Sequence, residues 1–182
     1  QGRDSIDLLD ECAICFAGCI STSAFARSMI VDSGSLLSLE DLEFLTMNGA
    51  STRARRYLAE ACGYLYEDTA VWLGGQAFNL SSWLKKNHLA KTLDLCAQKV
   101  ADSQKDVFTI GEVHGAAFLG ARCVRAFRLH AGHEMGVSDD IEMELCWRNS
   151  SSIIQVLGKG ISHIDEVIGK AFTESLGIAL SY

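Results

Sequence analysis

The 182-residue sequence contains no proline. An average usage of about 5% would place roughly nine in a chain of this length, so the absence excludes collagen-like, proline-rich and mucin-like classes. Proline breaks helices and central strands, and a chain without it is compatible with long helices joined by glycine-built turns. Ser33-Gly34-Ser35, Asn48-Gly49, Gly74-Gly75 and Gly158-Lys159-Gly160 supply such turns. Long hydrophobic runs are also missing: no stretch reaches the ~18 uninterrupted apolar residues of a membrane span, and the chain reads as soluble. Basic charge is in deficit, with 16 Lys+Arg against 23 Asp+Glu and a net charge of −7. That balance disfavours a surface that is, as a whole, a footprint for nucleic acid or an anionic membrane.

What is present suits one globular domain. The 48% hydrophobic content argues against intrinsic disorder, and the length suffices for a single core. Gln1-Gly2 match the end of a common protease-cleavable tag and are expected to be a tag remnant, leaving residues 3–182 as the domain. The seven cysteines, an odd number set mostly inside apolar runs, do not form a secreted disulfide framework. They point instead to the cytoplasm or another reducing compartment.

Periodicity predicts helices over most of the chain. Over residues 5–30, Leu8, Cys12, Cys15, Cys19 and Ala26 recur at three- and four-residue spacing, as the buried face of one amphipathic helix would. Ser38 and Asp41 form a variant capping box for a second helix that ends at Asn48-Gly49, with Leu39, Leu42 and Leu45 inside. Ser51 caps a third, running to about residue 66, with Leu58, Ala61, Cys62 and Leu65 inside. A fourth is expected over residues 80–101, with Trp83, Leu84, Leu89, Leu93, Cys96 and Val100 on one side. The fifth, about residues 107–133, is rich in small residues (Gly111, Gly115, Ala116, Gly120, Ala121) that admit close neighbours, so it should be the central helix. From Ile141 the period changes to two, with Ile141, Met143 and Leu145 alternating with Glu142, Glu144 and Cys146. Asn149-Ser150-Ser151-Ser152 then reads as a hairpin loop, residues 153–157 as a return strand, residues 162–175 as a last helix and residues 178–182 as a third strand. The expected fold is mainly α: a five- or six-helix bundle with a small C-terminal β-hairpin, in the α+β class.

Several clusters carry candidate chemistry. Cys12, Cys15 and Cys19 share one helical face, and three thiolates there suit a soft metal, although reduced core packing is the expected role. His130, His133 and Glu134, with Asp139 and Asp140 nearby, form a candidate metal site; the same residues also suit a helix C-terminus. Arg53, Arg55 and Arg56 crowd the first turn of the third helix, where cations oppose the macrodipole, which makes them a candidate partner-binding cluster. Arg122, Arg125 and Arg128 recur every three residues on the side of the central helix that carries His114. This basic stripe suits phosphate or a partner's acidic surface, and it equally suits pairing with the chain's own surplus carboxylates.

Arg125-Ala126-Phe127-Arg128-Leu129-His130 resembles the Arg-x4-His signature of the HEPN helical ribonucleases. The resemblance implies a helical bundle in which Arg125 and His130 act at an RNA cleavage site. Alanine stands where that family often has a polar residue, and Arg128 with His133 fits the same spacing. Residues 153–160, followed by a helix and Leu176-Gly177-Ile178, resemble the strand, Gly-x-x-Gly loop and helix of a KH RNA-binding module, with Ile161 where the second glycine would stand. Walker, Gly-x-Ser-x-Gly and His-Glu-x-x-His motifs are absent from the sequence. The leading expectation is a non-catalytic protein–protein interaction or self-assembly module with a protein partner or a second copy. An RNA-directed protein is the alternative, and a histidine-based metal or cofactor protein the third.

Overall fold

A computed structural model of the chain describes residues 2–31, 39–48, 51–68, 89–102, 110–131, 141–163 and 165–181. Among them are eight helices: α1 (Gly2–Thr22), α2 (Ala24–Val31), α3 (Leu39–Asn48), α4 (Thr52–Glu67), α5 (Leu89–Ala101), α6 (Ile110–Ala131), α7 (Ile141–Gly160) and α8 (Glu166–Leu180). The described residues contain no strand.

As its small residues predict, α6 is central, packing against α3, α4, α5, α7 and α8. Residues 113–121 are buried without interruption, as in a helix surrounded on all sides. At Gly115 the backbones themselves meet: a Cβ there would lie 2.7 Å from Met47 Cα, so only glycine lets α3 approach this closely. Ser51 caps α4 as expected, its hydroxyl accepting from the Ala54 amide at 3.0 Å. Leu89, Leu93, Cys96 and Val100 are the buried face of α5. Trp83, Leu84 and Ser38, and the glycine turns at Ser33-Gly34-Ser35 and Gly74-Gly75, lie outside the described residues.

The β-hairpin does not exist. Residues 141–160 form one helix, whose buried side chains Met143, Cys146, Asn149, Ser150, Ile153 and Leu157 follow helical rather than alternating spacing. Ile141, which opens the alternating run, is 71% exposed, and Cys146, assigned to its polar face, is fully buried. The supposed loop is accommodated mid-helix. Asn149 Nδ2 donates to the Ala90 carbonyl at 3.0 Å, tying α7 to α5, and Ser151 Oγ donates to the Trp147 carbonyl one turn back at 2.9 Å. Gly158-Lys159-Gly160 lies inside the same helix, which removes the KH-like strand and loop. The last helix begins at Glu166, capped by Asp165 through the Val167 and Ile168 amides, and runs on through Gly177 to Leu180, into the residues expected to form the third strand.

The N-terminal segment is corrected too. It is two helices bent by 110°. The bend falls at a run of hydroxyl residues: Ser21 and Thr22 both donate to the Gly18 carbonyl, and Ser23 Oγ accepts from the Ala26 amide to start α2. Arg27 locks the corner, with Nη1 donating to the Ile20 carbonyl at 2.6 Å and Nε to Asp68 at 2.5 Å. The buried stripe of α1 is Asp10, Ala13, Ala17 and Ile20, set against α4. Leu8, Cys12, Cys15 and Cys19, expected inside, face outward. Small alanines bring α1 close to α4, and the larger apolar stripe is left on the surface.

Candidate functional site

The residues singled out in the sequence fall into three places. Inside the fold, Arg55 and His114 meet through Thr52, whose hydroxyl accepts from Arg55 Nη2 at 3.2 Å and lies 3.0 Å from His114 Nδ1. The Thr52 hydroxyl and His114 Nδ1 share one hydrogen bond, whose direction follows the imidazole tautomer. Burial, and then the Arg55 charge, hold His114 below the ordinary histidine range against the opposing pull of Asp165. Burial likewise lowers the Arg55 guanidinium, opposed by Asp10. Gly111 makes the space for that guanidinium, since a Cβ would stand 2.8 Å from Arg55 Nη1.

The arginines of α6 are tied to neighbouring helices. Arg122 reaches Glu60 at 3.9 Å, its stem crossing α4 at Gly63, and Arg125 pairs with Glu67. Arg128 Nη1 donates to the Ala179 carbonyl at 2.8 Å, near the C-terminal end of α8, where the helix dipole favours a cation. His130 Nε2 lies 3.0 Å from the Tyr66 carbonyl, and burial depresses it below the ordinary histidine range despite that carbonyl and the Glu67 carboxylate. Arg125 and His130 therefore converge on the last turn of α4, around a carbonyl and a carboxylate. The Glu67 carboxylate neutralises Arg125 and opposes the approach of a phosphodiester. His133, Glu134, Asp139 and Asp140 lie outside the described residues, among which no group of three or more His, Cys, Asp or Glu is placed to hold a metal ion.

The third place is the surface beside the first turns of α4. Arg53 pairs with Glu11 and Arg56 with Glu174, each at 3.6 Å and largely in water. These two arginines line a groove of about 450 Å³ between α4 and α8. Thr52, Tyr57, Phe118, Val167, Lys170, Ala171 and Glu174 complete it.

A fourth feature was read from the sequence as a buried face and lies on the surface instead. Leu8, Cys12, Cys15, Cys19 and Thr22 form an outward stripe on α1 with alternating four- and three-residue spacing. Phe25, 73% exposed, and Met29 extend the apolar surface onto α2. No basic residue stands in the last turn of α1, and the stripe carries no charge from Cys12 to Thr22.

No family model matches this chain, and no curated protein or solved structure is detectably similar to it. Its function has to be read from its own surfaces. No single helix among the described residues is long and apolar enough to cross a membrane; the bent α1–α2 pair reaches the required length and composition only when its two arms are taken together. The signal for the stripe was visible as heptad-like spacing, which is equally the signature of a core face and of a seam awaiting another helix. The groove had no local signal, because α4 and α8 are about a hundred residues apart in the chain.

Proposed function

We propose that this chain is a non-catalytic assembly module that associates with a second copy of itself through the outward face of α1, continued by α2. The observation that carries this reading is the stripe Leu8, Cys12, Cys15, Cys19 and Thr22, whose spacing averages 3.5 residues on a helix already packed against α4 by its other face. That spacing keeps a seam facing a second helix along its whole length, and its stretch from Cys12 to Thr22, which carries no charge, is complementary to itself. Gly18 lies beside it with nothing within 4 Å of where a Cβ would stand, which leaves room for a partner backbone. A lipid surface is the poorer occupant, since interfacial helices flank their apolar face with lysine and arginine, and none decorates this stripe. The free thiols on the seam suit a reducing compartment, where they stay unbridged.

Light scattering after size exclusion, under reducing conditions and across a concentration series, tests the reading. The expected mass is twice the 19.8 kDa chain at high concentration, returning to one chain in a Cys15→Glu/Cys19→Glu variant that melts like the parent. A strict monomer up to the solubility limit, or a dimer indifferent to these two charges, overturns it. Flotation with neutral phospholipid vesicles, without self-association, would reassign the face to lipid.

A further inference from the structure

We propose that the groove between α4 and α8 binds an amphipathic oxyanion, a carboxylate or phosphate ester carried on an aliphatic or aromatic body. Its volume of about 450 Å³ falls in the range of small-molecule sites. The walls divide by chemistry. Tyr57, Phe118 and Ala171 give an apolar floor, and Arg53, Arg56 and Lys170 stand around it with one carboxylate, Glu174, in the lining and a second, Glu11, paired to Arg53.

Three cations against two carboxylates, Glu174 in the lining and Glu11 beside Arg53, leave this a locally positive site on a chain whose net charge is −7. An anion approaching it is drawn to the groove and repelled by most of the remaining surface. The existing pairs do not satisfy these cations. Arg53 and Arg56 reach their carboxylates only at 3.6 Å with more than half of each side chain in water, and ion pairs of that kind contribute ~1 kcal/mol or less. Both guanidiniums are therefore available to an oxyanion, for which a planar fork is the suited donor. Val167, 57% exposed on the rim, offers the apolar contact that an inorganic anion cannot use. The site rests on this cavity and these side chains, on surfaces other than the α1 seam.

Isothermal titration with octyl phosphate and octanoate, both below micelle-forming concentration, tests the proposal. Each should bind saturably at one site, at least tenfold more tightly than octanol or inorganic phosphate, which carry half the chemistry each. The tighter of the two shows whether the natural source is a phosphate ester or a carboxylate. Arg53→Gln/Lys170→Gln should weaken binding tenfold or more, and Glu174→Gln, which removes the carboxylate in the lining, should tighten it several-fold. Amide shifts should concentrate in residues 52–57 and 167–174. Binding should persist in the Cys15→Glu/Cys19→Glu monomer, so that failure of the dimer and failure of the groove are separate results. Octanol binding as tightly as octyl phosphate, no saturable binding at millimolar ligand, or an unchanged affinity in Glu174→Gln overturns the proposal.

Discussion

Gly115 and Gly158 sit in adjacent long helices, and the same change to alanine should have opposite signs at the two positions. At Gly115 the new methyl would press on the Thr46 carbonyl and on Met47 Cα, backbone atoms of α3 that cannot rotate away. Overpacking of this kind costs about 1–3 kcal/mol, more than the roughly 1 kcal/mol that alanine gains over glycine in a helix interior. Gly158 faces solvent with nothing within 4 Å, so only the conformational gain remains, about 0.5–1 kcal/mol. Urea denaturation of the two variants measures both effects. Stabilisation of Gly115→Ala would mean that α3 does not lie on α6 as described. Two arginines follow a related logic at single-residue scale: buried Arg55 is housed because Gly111 leaves a notch, and part-buried Arg122 because its stem crosses Gly63. The basic residues were legible from composition and spacing. Their partners were not, because Glu60, Glu67 and the Ala179 carbonyl are brought in by other helices and leave no local pattern.

At the scale of elements, sequence reasoning succeeded where one rule spoke and failed where two periods overlapped. Ser51 before an apolar run fixed the start of α4, and the density of glycine and alanine in α6 told of its central place. Five alternating residues from Ile141 to Leu145 were too short to separate a strand from the first turn of a helix, whose register is set by Cys146, Ile153 and Leu157 further on. The serine run that imitated a loop is stable in α7 because Ser151 bonds to its own helix and Asn149 to α5. On α1 two apolar stripes competed, and the choice between them was made by α4, out of reach of any local pattern. The helix at 141–160 has a sharp test. Ser151→Pro would be tolerated in a hairpin loop, but inside α7 it removes a backbone donor and clashes with the Trp147 carbonyl, costing ~3 kcal/mol or more. Ser151→Ala should lie within about 0.5 kcal/mol of the parent, as exposed substitutions generally do. Equal midpoints in chemical denaturation for the proline and alanine variants would restore the hairpin.

Taken as a whole, the molecule is a layer of helices around α6 that partitions its cysteines in a way solution chemistry can read. Cys62, Cys96, Cys123 and Cys146 are buried, and Cys12, Cys15 and Cys19 are exposed on α1. Burial, reinforced by the neighbouring Glu43 charge, pushes the Cys62 and Cys96 thiols well above their ordinary range, and Cys123 is raised by burial and by the thiols around it. Thiolate is the reacting form, so these groups are protected both by exclusion of reagent and by charge. Native-state labelling with an aromatic disulfide reagent at low protein concentration should therefore consume three thiols rapidly. The other four should wait for unfolding, at least about a thousandfold more slowly for a domain of ~5 kcal/mol stability. Raising the protein concentration through the association range should slow the rapid phase alone, because the seam that joins two copies is the surface that carries those three sulfurs. If all seven reacted at one rate, the burial pattern around α6 would be wrong. If the rapid phase ignored concentration while light scattering showed dimers, the copies would be meeting through some other face of the bundle.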